Sequence, residues 1–141
     1  MLIFEERLSL ILESNDDFDA AVAIVRHRGK WLLGLSTASD DRSKRWCFPG
    51  GGIKRGESPQ QAAVRECIEE TGIKCSAIGS VLTLKEKPKV AFIPCRAAAS
   101  PGKFVPNSEF VALGFFQPED FKALVLYNNV KDLINRSKKY Y

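Results

Sequence analysis

A chain of 141 residues, 45% hydrophobic and 27% charged, suits one domain spanning residues 1–141, with enough apolar content to bury a core. Its net charge of +4 favours anionic ligands slightly and does not by itself indicate a nucleic-acid surface. No run is long enough to span a membrane, and the apolar start Met1-Leu2-Ile3-Phe4 is interrupted by Glu5 and Glu6, which argues against a signal peptide.

In chain order, Ile3 to Leu12 reads as a short helix, and Asp19 to Val25 as a strand. Trp31 to Leu35 reads as its hairpin partner across His27-Arg28-Gly29-Lys30. Ser36 to Lys44 is polar and loop-like, and Pro49-Gly50-Gly51-Gly52 is a glycine loop that lets backbone approach a ligand or take positive φ. Ser58 as N-cap, Pro59 at the first helical position, Gln61 closing a capping box and Gly72 as left-handed C-cap predict a helix over Pro59 to Thr71. Ala77 to Leu84, Lys89 to Ala97 and Phe110 to Phe116 read as strands. Ser100 to Ser108, with Pro101, Gly102 and Pro106, reads as a loop, and Pro118 to Leu124 and Asn128 to Ser137 as helices. Strands flanking one central helix, followed by a C-terminal helix, suit an α/β/α sandwich with a mixed sheet. Cys47, Cys67, Cys75 and Cys95 lack CxxC spacing and read as free thiols of a reducing cytoplasm.

The chemistry concentrates in the central helix. Glu66, Glu69 and Glu70 share one helical face, with Ala62 one turn earlier, while Val64, Cys67, Ile68 and Thr71 are expected to point to the core. Arg65 lies one turn before Glu69 and can pair with it. So much like charge is costly unless a cation neutralises it, and carboxylate oxygens suit Mg²⁺ or Mn²⁺ rather than zinc. A glycine loop ahead of a helix is a ready place for phosphates.

The pattern Gly51-x5-Glu57-x7-Arg65-Glu66-Cys67-x-Glu69-Glu70-x-Gly72-Ile73 resembles the Nudix box of the MutT-like hydrolases, with Cys67 where the family usually has an aliphatic residue. Trp46-Cys47-Phe48-Pro49-Gly50-Gly51 resembles the usual approach to that box. The resemblance implies a Nudix-type α/β/α sandwich and a metal-dependent hydrolase of a nucleoside diphosphate linked to another moiety. It implies that Glu66, Glu69 and Glu70 are metal ligands, joined by the backbone carbonyl of Gly50. It further implies that Glu57 is a structural acid, that Arg65 orients a carboxylate, and that a downstream acid serves as base or ligand. Glu109 is the candidate for that acid, with Glu119 and Asp120 as rivals that suit a helix first turn without catalysis. Gly51, Gly52, Lys54 and Arg55 are placed to meet substrate phosphates.

Other residues carry blander readings. His27 is the only histidine and sits in an expected turn, so His-dependent triads are not expected. Trp46 reads as a core or loop anchor; Lys85, Lys87 and Lys89, with Arg96, are candidates to meet phosphates, with the guarding of a sheet edge as the preferred reading. Lys54, Arg55 and Glu109 also admit a solvated role. Pro88, fifteen residues past Ile73, matches a proline of some ADP-ribose-cleaving members. The short chain resembles compact triphosphate-cleaving members and leaves no room for an added N-terminal domain. The expected substrate is therefore a nucleoside triphosphate or nucleotide sugar. ADP-ribose or another dinucleotide, or a non-catalytic nucleotide sensor, is the alternative. A small-molecule nucleotide is the expected partner; nucleic acid and membrane are not, and a homodimer is left open.

Overall fold

The structure, a computed structural model, describes residues 17–104 and 108–141. The expected helix over Ile3 to Leu12, and Pro106 of the expected loop, lie outside the described residues. Among the described residues eight strands form one mixed sheet: β1 (Ala20–His27), β2 (Lys30–Ser36), β3 (Trp46–Cys47), β4 (Gly50–Gly52), β5 (Cys75–Ala77), β6 (Leu82–Leu84), β7 (Lys87–Ala97) and β8 (Phe110–Phe116). β1 and β7 run parallel from Ala20↔Val90 to Arg26↔Arg96 and make the centre of the sheet. β1 pairs antiparallel with β2 at its far end and with β4 at its near end, and β2 carries β8 on its outer side. Helix α1 (Pro59–Thr71) covers one face and helix α2 (Val130–Ser137) the other.

Alternation along the central strands builds both cores. Ala21, Ala23 and Val25 of β1 and Ala91, Ile93 and Cys95 of β7 face Ala62, Ala63 and Cys67 of α1. Ile24 and Phe92, one residue out of phase, face Leu133 and Ile134 of α2. Strands buried on both sides read as continuous apolar runs, as β1 and β7 do. Small residues on the α1 side let the helix lie close to the sheet. All four cysteines are buried and unbridged. Among the described residues no helix is long and apolar enough to cross a membrane.

The caps of α1 are as expected: Ser58 accepts from the Gln61 N–H, Gln61 returns the bond to the Ser58 N–H, and Gly72 closes the helix at φ 76°. Several expectations are corrected. The expected single strand Ala77 to Leu84 is split into β5 and β6, because Pro94 in the middle of β7 has no N–H to offer there. Gly79 packs at that break, where an added Cβ would lie 2.6 Å from the Tyr140 ring. The glycine loop is a strand, β4, with no positive φ, because it completes the edge that β2 leaves open on β1. Pro118–Ala123 is a 3-10 helix, and α2 starts at Val130, two residues later than expected, after Asn129 at φ 69°. On α1, Ile68 is 43% exposed and Val64 half-buried; Ala62 and Ala63 take the core instead, because only small side chains fit between helix and sheet. His27 is the end of β1 rather than a turn residue, its ring 5.4 Å from that of Phe115.

Candidate active site

The acidic face of α1 is held against β4 by glycine. An added Cβ on Gly51 would lie 2.6 Å from the Glu66 carboxyl carbon, and one on Gly50 would lie 2.7 Å from the Ala21 carbonyl oxygen. Gly51 is therefore needed for the close approach of helix to strand and Gly50 for that of β4 to β1, neither for turn geometry. Gly51→Ala is expected to displace Glu66, to cost about 1–3 kcal/mol of stability and to reduce turnover about 10–100-fold. Gly52→Ala, with nothing within 4 Å of the added carbon, is expected to melt like the parent. Thermal melts and steady-state kinetics on the pair check this contrast.

Arg65 organises the carboxylates. Its Nε donates to Glu57 Oε2 at 2.7 Å, and one terminal nitrogen donates to Glu66 Oε1 at 2.8 Å and Glu69 Oε2 at 3.0 Å. The other donates to Glu57 Oε1 and to the Gly52 carbonyl, both at 2.9 Å. The guanidinium fork matches three carboxylates and a backbone oxygen at once, which a lysine cannot do. The Glu57 side of the fork draws that carboxyl below the ordinary carboxylate range, and its Oε1 also caps the Lys54 N–H at 3.0 Å.

Glu70 is half-buried beside β4. Its Oε2 accepts the Gly50 N–H at 3.0 Å. Burial pushes its carboxyl up to about 8, against the lowering effect of that N–H, and the neighbouring charges of Glu66 and Glu109 push the same way. Glu109 thus falls within electrostatic reach of the cluster. Its backbone oxygen accepts from the Thr37 N–H at 3.0 Å and the Thr37 hydroxyl at 3.1 Å, tying the start of β8 to the end of β2.

A cavity of about 300 Å³ opens from Gly50 and Gly51. Val22, Leu84, Phe92 and Leu133 give it apolar walls, and Asp41, Lys87 and Tyr127 give it a polar end. Tyr127 donates to Asp41 Oδ2 at 3.1 Å, and Lys87 donates to the Tyr127 hydroxyl with its ammonium 4.2 Å from that ring. Lys87 therefore turns into the cavity rather than guarding a sheet edge. Lys54 and Arg55 are exposed and line no part of this cavity, and Glu119 and Asp120 sit in the 3-10 helix away from it. Asp41, Lys87 and Tyr127 carry no motif in the sequence. They lie in a polar loop, a lysine-rich hairpin and an interhelical segment that only the fold brings together.

A model of the NUDIX domain matches residues 17–136. The chain belongs to the NUDIX family. It is similar to an RNA pyrophosphohydrolase of Bartonella tribocorum, 44% identical over 70 residues, which cover 46% of this chain and 38% of that protein. It is also similar to putative nudix hydrolase 1 of Caenorhabditis elegans, 29% identical over 129 residues, covering 87% of this chain and 35% of that one. The match thus spans little more than a third of either relative. Among solved structures, an ADP-ribose pyrophosphatase from Streptococcus suis superposes with a TM-score of 0.66 at 31% identity, covering 85% of this chain and 89% of that one. The NUDIX family assignment and the α/β sandwich with a mixed sheet agree with the reading of the box.

Proposed function

We propose that this NUDIX chain hydrolyses a pyrophosphate bond in a nucleoside diphosphate linked to another moiety, with Mg²⁺ or Mn²⁺ as cofactor. The donor set supports the cation: Glu66, Glu69 and Glu70 bring hard carboxylate oxygens to one helical face, and the like charge beside Glu70 marks a place that a positive charge would relieve, although among the described residues these side chains turn to Arg65 and Gly50 and do not converge as a ready-made ligand group. Glu66, Glu69, Glu70 and the Gly50 carbonyl would hold it. When bound, such an ion screens a polyphosphate and acidifies a water. Arg65 keeps Glu66 and Glu69 aimed at that place, and Glu109 is the candidate to take the proton from the attacking water. Four buried free thiols support a reducing compartment.

The observation that carries this reading is that Gly50 and Gly51, which pack against Glu70 and Glu66, also line the cavity. Phosphates at the glycine end put a base at the Asp41–Tyr127–Lys87 end, where an acceptor and a donor stand side by side. At about 300 Å³ the cavity is at the small end of ligand sites, which supports a single nucleoside and hence a triphosphate or nucleotide sugar. The similarity to an ADP-ribose pyrophosphatase favours ADP-ribose as the second reading. The test is phosphate and pyrophosphate release from triphosphates, nucleotide sugars, ADP-ribose, dinucleoside polyphosphates and capped RNA, each with and without Mg²⁺. Metal-dependent turnover of one class supports the hydrolase. Silence across the panel, with a nucleotide still raising the melting temperature, would make the chain a sensor.

Asp41→Asn is expected to raise KM for the preferred nucleotide about tenfold and to narrow discrimination between bases, with kcat retained. A fall in kcat at unchanged KM would remove Asp41 from base recognition.

A further inference from the structure

At the opposite end of the sheet from the acid cluster, roughly 20 Å along β1 at the rise of a strand, lies a cleft of about 500 Å³. Arg26, Arg28 and Arg96 line it, together with His27 and Tyr141. Arg26 and Arg96 are register partners on the parallel strands β1 and β7. Neighbouring strands are about 4.8 Å apart, so two guanidinium side chains start side by side from the same face. Like charges so placed destabilise a sheet unless a counter-charge answers them. Among the described residues, no carboxylate lies within ion-pair distance of Arg26, Arg28 or Arg96; the ion pairs there belong to Arg42, Arg65 and Arg136.

The cluster is also ordered. The Arg26 guanidinium sits 5.3 Å from the Trp31 ring centre and 5.6 Å from that of Tyr141, and these rings meet edge to face at 5.0 Å. Among the described residues its Nε is buried without a hydrogen-bond partner. Tyr141 is itself pinned, its hydroxyl donating to the Ile24 carbonyl and accepting the Cys95 N–H at 3.1 Å. Arg28 is held at φ 51° in the β1–β2 turn, next to Gly29. Fixing the aromatic seat of one arginine, and placing a second beside it by strand register, prepares the site before any ligand arrives.

We infer that this cleft is a second anion site, one that binds a phosphate oxyanion between Arg26, Arg28 and Arg96, separate from the acid cluster. Guanidinium forks match tetrahedral oxyanions through paired N–H···O bonds, and among the described residues no Asp or Glu side chain lines the cleft, which favours negative charge. Arg26, Arg28 and Arg96 dominate the polar lining, and among the described residues no acceptor–donor pair like Asp41 and Tyr127 lines the cleft, so the recognised group is the phosphate and not a nucleoside. Because the acid cluster needs a cation to accept phosphates, the two sites separate when divalent ions are removed.

The experiment is calorimetric titration of the full chain, in chelator-treated buffer without divalent ions, with orthophosphate and with pyrophosphate. Saturable binding is expected, and Arg96→Gln and Arg28→Gln are each expected to weaken it about tenfold or more. Both arginines are exposed, so both variants are expected to melt like the parent and to keep metal-dependent turnover. Parental affinity in both variants would overturn the assignment, as would no binding to the parent chain. A single-stranded oligoribonucleotide that binds more tightly than pyrophosphate, and loses that binding in Arg96→Gln, would also overturn it by making the cleft a nucleic-acid surface.

Discussion

Glu69→Gln is expected to lower metal-dependent turnover about 10³-fold while leaving the melting temperature close to that of the parent chain. The two halves of this expectation have separate causes. Glu69 is the exposed member of the acid cluster, its side chain 52% accessible, and its bond within the protein is to Arg65 at 3.0 Å. A glutamine keeps an amide oxygen that can accept that same bond, and an exposed isosteric change costs about 0.5 kcal/mol or less. The negative charge is lost, however, and a neutral amide is a poor ligand for a hard divalent cation. Steady-state kinetics across a Mg²⁺ series, with a thermal melt on the same preparation, measures both. Parental turnover in the variant would take Glu69 out of the mechanism. A collapsed melt would show that it is structural.

Arg65→Lys is expected to reduce kcat/KM about 10–100-fold and to lower the melting temperature at neutral pH. Arg65 makes five hydrogen bonds, to Glu57 twice, to Glu66, to Glu69 and to the Gly52 carbonyl. A lysine offers one point charge to the same ring of acceptors, so it cannot hold Glu57 and Glu66 together. Freed from the fork, Glu66 loses its fixed distance to β4 and to Glu70. The pH dependence has a definite sign. Arg65 lowers the folded-state pKa of Glu57 below its ordinary value, so the stabilisation is present above the unfolded value and is lost as pH falls. The melting-temperature gap between parent and variant should therefore narrow below about pH 4. A gap that is unchanged or wider in acid would mean that Arg65 acts on the fold by some route other than the Glu57 pair.

Much of the central helix was legible in advance because its signals are local. Ser58, Pro59, Gln61 and Gly72 each act within a turn of their own position, and helix α1 begins and ends where they place it. Pairing of Arg65 with Glu69 followed from helical spacing alone. The face that α1 buries was less legible, because periodicity marks Ile68 as apolar and says nothing about clearance. The sheet is too close for it, so Ala62 and Ala63 go in and Ile68 goes out. The glycines illustrate the same limit. A run of three glycines reads as a flexible loop, whereas here β4 is an ordinary strand whose missing side chains make room for Glu66. The polar end of the cavity was illegible. Tyr127 and Asp41 are 86 residues apart, Lys87 and Tyr127 are 40 apart, and no local pattern links them. The Arg26 and Arg96 pair depends on the register of two parallel strands, which no hairpin turn fixes.

Anomalous diffraction from crystals grown with Mn²⁺ decides whether the acidic face of α1 is a divalent-cation centre. An anomalous peak is expected with oxygen ligands from Glu66, Glu69 or Glu70 at about 2.0–2.6 Å, beside Gly50 at the mouth of the cavity, as is loss of that peak in Glu69→Gln crystals. A peak elsewhere, or none at a Mn²⁺ concentration that supports turnover, would contradict it.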